Sequence, residues 1–153
     1  METKISVEVN VLFEKNKKYN FIFSFYETDG PLYRKIEDEF YIKNSLLGKV
    51  FEGRHFEMQI LKPDVSKLVN SNKIHFHFSQ KDGGTYICWT NQVKSLEEAL
   101  KLAKFWSAGT TLTIEKDIDL LIIFQKELAD INRTLETLEK EYDVVAEAVI
   151  LKK

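Results

Sequence analysis

Cysteine is nearly absent from this chain of 153 residues, since Cys88 is the only one. A single cysteine excludes an intramolecular disulfide, which fits a protein of a reducing compartment. The sequence also lacks a run of about 18 apolar residues, and no apolar segment follows a positive start at residues 1–6. These absences predict a soluble, cytoplasmic protein without a transmembrane helix or a signal peptide.

Neither sign of charge is in excess, because 22 basic and 24 acidic side chains give a formal net charge of −2. That balance argues against a broad basic surface for nucleic acid or an anionic membrane. The one tight basic cluster, Lys15 to Lys18, lies between two strand-like segments and is typical of a solvated turn. We therefore expect neither nucleic acid nor a membrane as the partner.

Proline and glycine are scarce as well, with two and six residues, and no low-complexity linker or internal repeat divides the chain. The length is close to the commonest size of one domain, so residues 1–153 are predicted to form a single domain. Walker, Rossmann and Gly-x-Ser-x-Gly motifs are missing. Their absence argues against an enzyme, although it does not exclude one.

Alternation of apolar and polar residues runs through much of the first 90 residues. Apolar side chains occupy alternate positions from Ile5 to Phe13, and aromatic ones do so from Tyr19 to Phe25. We predict an α+β fold in which an antiparallel sheet of about five to seven strands is followed by two C-terminal helices, the last one long. Residues 1–90 supply most of the sheet, and the helices cover one of its faces.

Helical periodicity replaces alternation after residue 94. Ser95 and Glu98 form a capping box, and the stripe that follows predicts a helix over residues 95–108 that stops at Gly109. A short strand or connector is predicted over residues 110–114. A long helix is predicted over residues 115–142, and residues 144–151 satisfy either a helical or a strand period.

The long predicted helix has one apolar edge with the three- and four-residue gaps of a heptad seam. From Asp117 to Tyr142, at about 1.5 Å per residue, it would be roughly 39 Å long, more than a small sheet can cover. Our leading hypothesis is a non-enzymatic binding or regulatory module. It would self-associate, as a dimer, or dock a protein partner through this edge, which consists of Leu128, Ile131, Leu135, Leu138 and Tyr142. The other interpretation is a core helix that lies across the sheet.

Histidine and cysteine share one face of a second predicted hairpin, whose tight-turn signal is Asp82-Gly83. That turn predicts His77 opposite Cys88. Imidazole and thiolate are ligands that zinc prefers. An alternative function is therefore a metal-binding protein or metal-dependent hydrolase with zinc bound by His75, His77 and Cys88, completed by His55 and Glu57. The other interpretation is a solvated face on which the cysteine is a small apolar filler.

Large rings on one strand permit a third function. Phe21, Phe23 and Phe25 lie on the same face of their predicted strand. They could line the pocket of a small-ligand carrier, or they could simply form the core, as large rings on the inner face of a sheet usually do.

Overall fold

A computed structural model of the protein describes residues 3–28, 55–68, 73–74, 76–78, 84–87 and 93–152. Two long strands, β1 (Thr3–Phe13) and β2 (Lys17–Thr28), pair as an antiparallel hairpin with Val9 opposite Phe21. In the turn between them, Glu14 and Lys15 have left-handed backbone conformations, with φ of 51° and 64°. The hairpin predicted from the alternation is confirmed.

Four further strands complete the sheet, namely β3 (His55–Lys62), β4 (Phe76–Phe78), β5 (Thr85–Ile87) and β6 (Val144–Lys152). The strand order is β4-β5-β3-β2-β1-β6, and each neighbouring pair is antiparallel. The predicted antiparallel sheet is therefore confirmed. Residues 144–151, whose pattern fitted both a helical and a strand period, belong to a strand.

The two faces of the sheet differ in polarity. Alternate residues of β1 and β2 form the inner face, and these core side chains are at most 5 % exposed: Ile5, Val7, Val9, Val11, Phe13, Phe21, Phe23 and Phe25. On the outer face the Asn20 amide donates to the Glu8 carboxylate at 2.8 Å and to the Asn10 side-chain oxygen at 2.9 Å. Because strand side chains point alternately to the two faces, the alternation seen in the sequence produces both surfaces.

The hairpin of β4 and β5 differs in register from the prediction. Tyr86 rather than Cys88 lies opposite His77, and Ile87 lies opposite Phe76. The shift amounts to two residues, which changes every cross-strand partner but leaves each side chain on its predicted face. The Asp82-Gly83 signal itself lies outside the described residues.

The first helix, α1 (Leu96–Lys116), begins at the predicted N-cap, where the Ser95 hydroxyl accepts a hydrogen bond from the Glu98 backbone N–H at 3.1 Å. It then continues through Gly109 and ends at Lys116. The predicted end at residue 108 and the strand predicted over residues 110–114 are therefore wrong.

Buried threonines explain how α1 continues through a stretch that resembles a strand. The Thr111 hydroxyl donates to the Ser107 carbonyl at 2.9 Å, and the Thr113 hydroxyl donates to the Gly109 carbonyl at 2.9 Å. These bonds within the helix satisfy the hydroxyl groups, so β-branched polar residues are tolerated in a buried helix despite their strand propensity. The helix ends where Asp117 turns left-handed, with φ of 56°.

Two short helices replace the single long one predicted over residues 115–142. These are α2 (Leu120–Lys126) and α3 (Ile131–Tyr142), and between them Leu128 and Ala129 have left-handed φ of 59° and 55°. The Asp130 carboxylate accepts from the Arg133 backbone N–H at 3.0 Å and so caps α3. Since the break is capped on both sides, the prediction of one continuous helix is wrong.

Helix α1 covers the inner face of the sheet. α1 packs on β1, β2, β3 and β6, while α3 lies beside α1 and also contacts β6. Between α1 and α2 the approach is so close that Leu120 packs directly on the backbone of Gly109. In the described part of the chain no helix is both long and apolar enough to cross a membrane.

Candidate functional site

The residues proposed to bind zinc are not brought together as far as the structure describes them. His75 and Cys88 lie outside the described residues, and His77 faces Tyr86. His55 is on β3, and β5 lies between β3 and β4. Along β3, His55 is four residues from Gln59, which pairs with Tyr86. At typical strand spacing and rise, the Cα atoms of His55 and His77 are about 16 Å apart, too far to share an ion. Among the described residues there is no group of three His, Cys, Asp or Glu side chains that could hold a metal.

The three phenylalanines proposed to line a ligand pocket lie in the core. Each is at most 1 % exposed. Phe21 and Phe23 pack edge-to-face on Trp106, each with its ring centroid 5.8 Å from that of the tryptophan. Such contacts are typical of close-packed aromatic cores, so the rings stabilise the contact between α1 and the sheet.

A small cavity lies instead between α1 and α2. Its volume is about 40 Å³, and it is lined by Lys73, Ile74, Ile87, Leu102, Phe105, Trp106, Gly109, Thr110, Thr113, Leu120 and Leu121. A ligand pocket usually measures about 300–1,000 Å³, whereas one water needs roughly 10–15 Å³. The Lys73 ammonium pairs with the Asp117 carboxylate at 2.8 Å. The cavity therefore has room for a few waters, and it is too small for an organic ligand.

A cluster of polar side chains joins the end of α1 to the β1–β2 hairpin. The Tyr19 hydroxyl donates to the Glu115 carboxylate, which also accepts from the Lys17 ammonium at 2.9 Å. Burial, followed by the hydrogen bond to Glu115, raises the pKa of Tyr19 to about 12. The hydrogen bonds from Tyr19 and Lys17 lower the pKa of Glu115. A phenol that is harder to ionise is a poor acid or base near neutral pH, so the cluster is better suited to structure than to catalysis.

The predicted partner-binding edge is divided between core and surface. Leu138 is fully buried, and Ile131, Leu135 and Tyr142 are partly buried against the core. Leu128, at the break between α2 and α3, is 75 % exposed. The structure thus gives most of this edge a packing role inside the molecule.

The outer edge of β6 is open among the described residues. β6 has nine residues, and its second edge has no partner strand among the described residues. Near its end, Val149, Ile150 and Leu151 are 50 %, 36 % and 52 % exposed. An edge strand presents unpaired N–H and C=O groups, and natural proteins usually shorten, charge or cover such strands. A long, apolar and open edge is therefore a candidate interface.

Helix α3, which was part of the predicted surface, is a neighbour of β6. It ends at Tyr142, Asp143 follows with a left-handed φ of 55°, and β6 begins at Val144. The helix contacts both β6 and α1.

No protein-family model, curated protein or solved structure matches the chain. The chemistry of the β6 edge is that of backbone amides and carbonyls flanked by aliphatic side chains, which suits association with another polypeptide. The sequence pattern offered one sign of it, the apolar run Val-Val-Ala-Glu-Ala-Val-Ile-Leu at the end of the fold.

Proposed function

We propose that the protein is a non-enzymatic protein-binding module that accepts an extended strand on the open edge of β6. The observation that supports it is a nine-residue apolar strand at the edge of the sheet. A strand added there gains main-chain hydrogen bonds, and its alternate side chains contact the two faces of the extended sheet.

Helix α3 supplies the second part of the binding surface. Ile131 and Leu135 are only partly buried against the core, and their helix contacts β6. We expect a side chain of the added strand on the inner face of the sheet to pack against them. The amphipathic helix thus belongs to the interface, while the buried Leu138 stabilises the fold and makes no contact with the partner.

A peptide titration tests strand acceptance directly. The probe is a labelled peptide with the sequence of residues 143–153, and the measurements are fluorescence anisotropy and amide hydrogen exchange. With the protein dilute enough to be monomeric, we expect saturable binding and slower exchange in β6, because its outward N–H groups become hydrogen-bonded.

The matched control is the same peptide with proline in place of Glu147 and Ala148. Consecutive strand residues direct their N–H groups to opposite edges, so two adjacent prolines remove a donor from each edge. Equal binding of the two peptides, or protection confined to other elements, would contradict strand addition.

A further inference from the structure

We infer that the strand accepted by β6 is β6 of a second copy of the chain, which makes the protein a two-fold symmetric dimer with one continuous sheet. This inference rests on the proposed function and names its partner. An isologous interface requires a surface that is complementary to itself. The sequence and exposure of β6 meet that requirement in three respects.

Charge is the first respect. Glu141 and Asp143 precede β6, and Lys152 ends it. Antiparallel pairing about a two-fold axis places the acidic start of each strand beside the basic end of the other. Parallel pairing would place like charges side by side, which is unfavourable.

Side-chain size is the second respect. When the axis passes through Ala148, this alanine faces its own copy and Ala146 faces Ile150 of the second copy. Ile150 is 36 % exposed in the single chain, and the small Ala146 leaves room for it. The inner face of the junction therefore combines small with large residues, as close packing requires.

The outer face of the junction is the third respect. In the same register Val149 faces Glu147 of the second copy. Val149 is 50 % exposed in the single chain. It therefore packs on the aliphatic part of the Glu147 side chain, twice per dimer. Leu151, which is 52 % exposed, is the extra residue of a bulge, because Ile150 and Lys152 pair with the consecutive residues Val7 and Ser6 of β1. The Glu147 carboxylates do not face each other, so no like-charge pair opposes the contact.

Symmetry also limits the assembly to two chains. The axis stands perpendicular to the sheet, so both α3 helices lie on the same side of the junction and flank it. Pairing uses the long edge of both copies, and the edge at the other end of the described sheet is β4, with only three residues. A closed dimer thus covers the strand that would otherwise recruit further chains.

Disulfide trapping tests both the partner and the register. In a Cys88→Ser background, a single cysteine is introduced by Ala146→Cys, Ala148→Cys or Ile150→Cys. Directly opposed residues of antiparallel strands have Cα atoms about 4.5–5.5 Å apart, within reach of a disulfide. We expect rapid covalent dimerisation of the Ala148→Cys protein on mild oxidation.

The two neighbouring variants give the register. Neither should form a disulfide with its own copy, because the two like residues are about 13 Å apart along the strands. A mixture of Ala146→Cys and Ile150→Cys proteins should cross-link, since these residues face each other. Leu128→Cys is the control, because it lies at the most exposed apolar position and reports random collisions.

Sedimentation of the unmodified chain supplies a second measurement. We expect a concentration-dependent dimer. Lys152→Glu should raise its dissociation constant roughly 2- to 30-fold, because the basic end of each strand becomes acidic beside the acidic start of the other, whereas Lys152→Arg should leave it unchanged.

The outcomes separate this inference from the proposed function. A monomer at all concentrations, with Ala148→Cys cross-linking no faster than Leu128→Cys, overturns the dimer. If the peptide of residues 143–153 still binds β6, strand acceptance stands and the natural partner is another protein. If the peptide fails as well, both proposals fall.

Discussion

Gly109 lies in the middle of α1, at the point where Leu120 of α2 packs on the helix backbone. Helix propensity alone favours alanine over glycine in a helix interior by about 1 kcal/mol. The structure predicts the opposite for Gly109→Ala. A Cβ atom at this position would lie 2.7 Å from Leu120 Cγ and 2.8 Å from Leu120 Cβ, and closer still to Cδ2.

The size of the effect follows from which atoms collide. A different Leu120 rotamer moves Cδ2 away, but Leu120 Cβ is held by the backbone of α2 and cannot follow. Relief therefore requires that α1 and α2 move apart, and overpacking of this kind costs about 1–3 kcal/mol. After the gain in propensity, we expect a net destabilisation of about 1–2 kcal/mol. That corresponds to a lower melting temperature by about 2–8 °C.

Urea denaturation followed by circular dichroism and tryptophan fluorescence measures the free energy of unfolding. The matched controls are Lys104→Ala and Lys104→Gly, at a partly exposed position of the same helix. The difference between their free energies of unfolding gives the cost of glycine in this helix. If Gly109→Ala is more stable than the parent by that same difference, then α2 does not pack on α1 at Gly109, and the reasoning is refuted.

Three further predictions concern named side chains. Leu138→Ala should lower the free energy of unfolding by about 2–5 kcal/mol because Leu138 is fully buried, whereas Leu128→Ala, at a 75 % exposed position, should change it by less than about 0.5 kcal/mol in urea denaturation. The pKa of Glu115 is lower in the folded than in the unfolded chain, so its ionised carboxylate stabilises the fold above the unfolded pKa. This contribution disappears as pH falls through the folded pKa, and Glu115→Gln should therefore lose less stability than the parent below about pH 5. The raised pKa of Tyr19 means that its protonated phenol stabilises the fold below the pKa of the unfolded phenol. Because Tyr19 ionises near pH 12, Tyr19→Phe should remove one tyrosine absorbance transition near that pH and leave the others unchanged.

The strands could be predicted from the sequence because one face of the sheet is buried. A shift of one residue would expose every apolar side chain of β1, so the alternation determines which residues face the core. A shift of two residues leaves all side chains on the same faces. The pattern therefore could not distinguish Tyr86 from Cys88 as the partner of His77, and the predicted register was wrong.

The helices were harder to predict because heptad spacing records only which residues are apolar. The gaps continue unchanged across the break, although Leu128 and Ala129 are left-handed there. Both residues are unusual in that conformation, since neither is glycine. One local signal was present. Aspartate is a preferred N-cap residue, and Asp119 and Asp130 are the N-caps of α2 and α3. Gly109 shows the converse, since it allows a close contact between helices and does not end one.

The break also changes the argument for a partner. The prediction relied on an apolar helical edge longer than the sheet could cover. α3 is only about 18 Å long, and its side chains turn back onto the core, so no excess helix length remains to explain. Within the part of the chain that the structure describes, what remains open is the outer backbone edge of β6. Main-chain donors and acceptors are the same for every residue, and so an open edge has no signature in side-chain chemistry. It emerges only when the strand order is known, which is why the sequence pattern led to an interface on α3, whereas we propose one centred on the neighbouring strand.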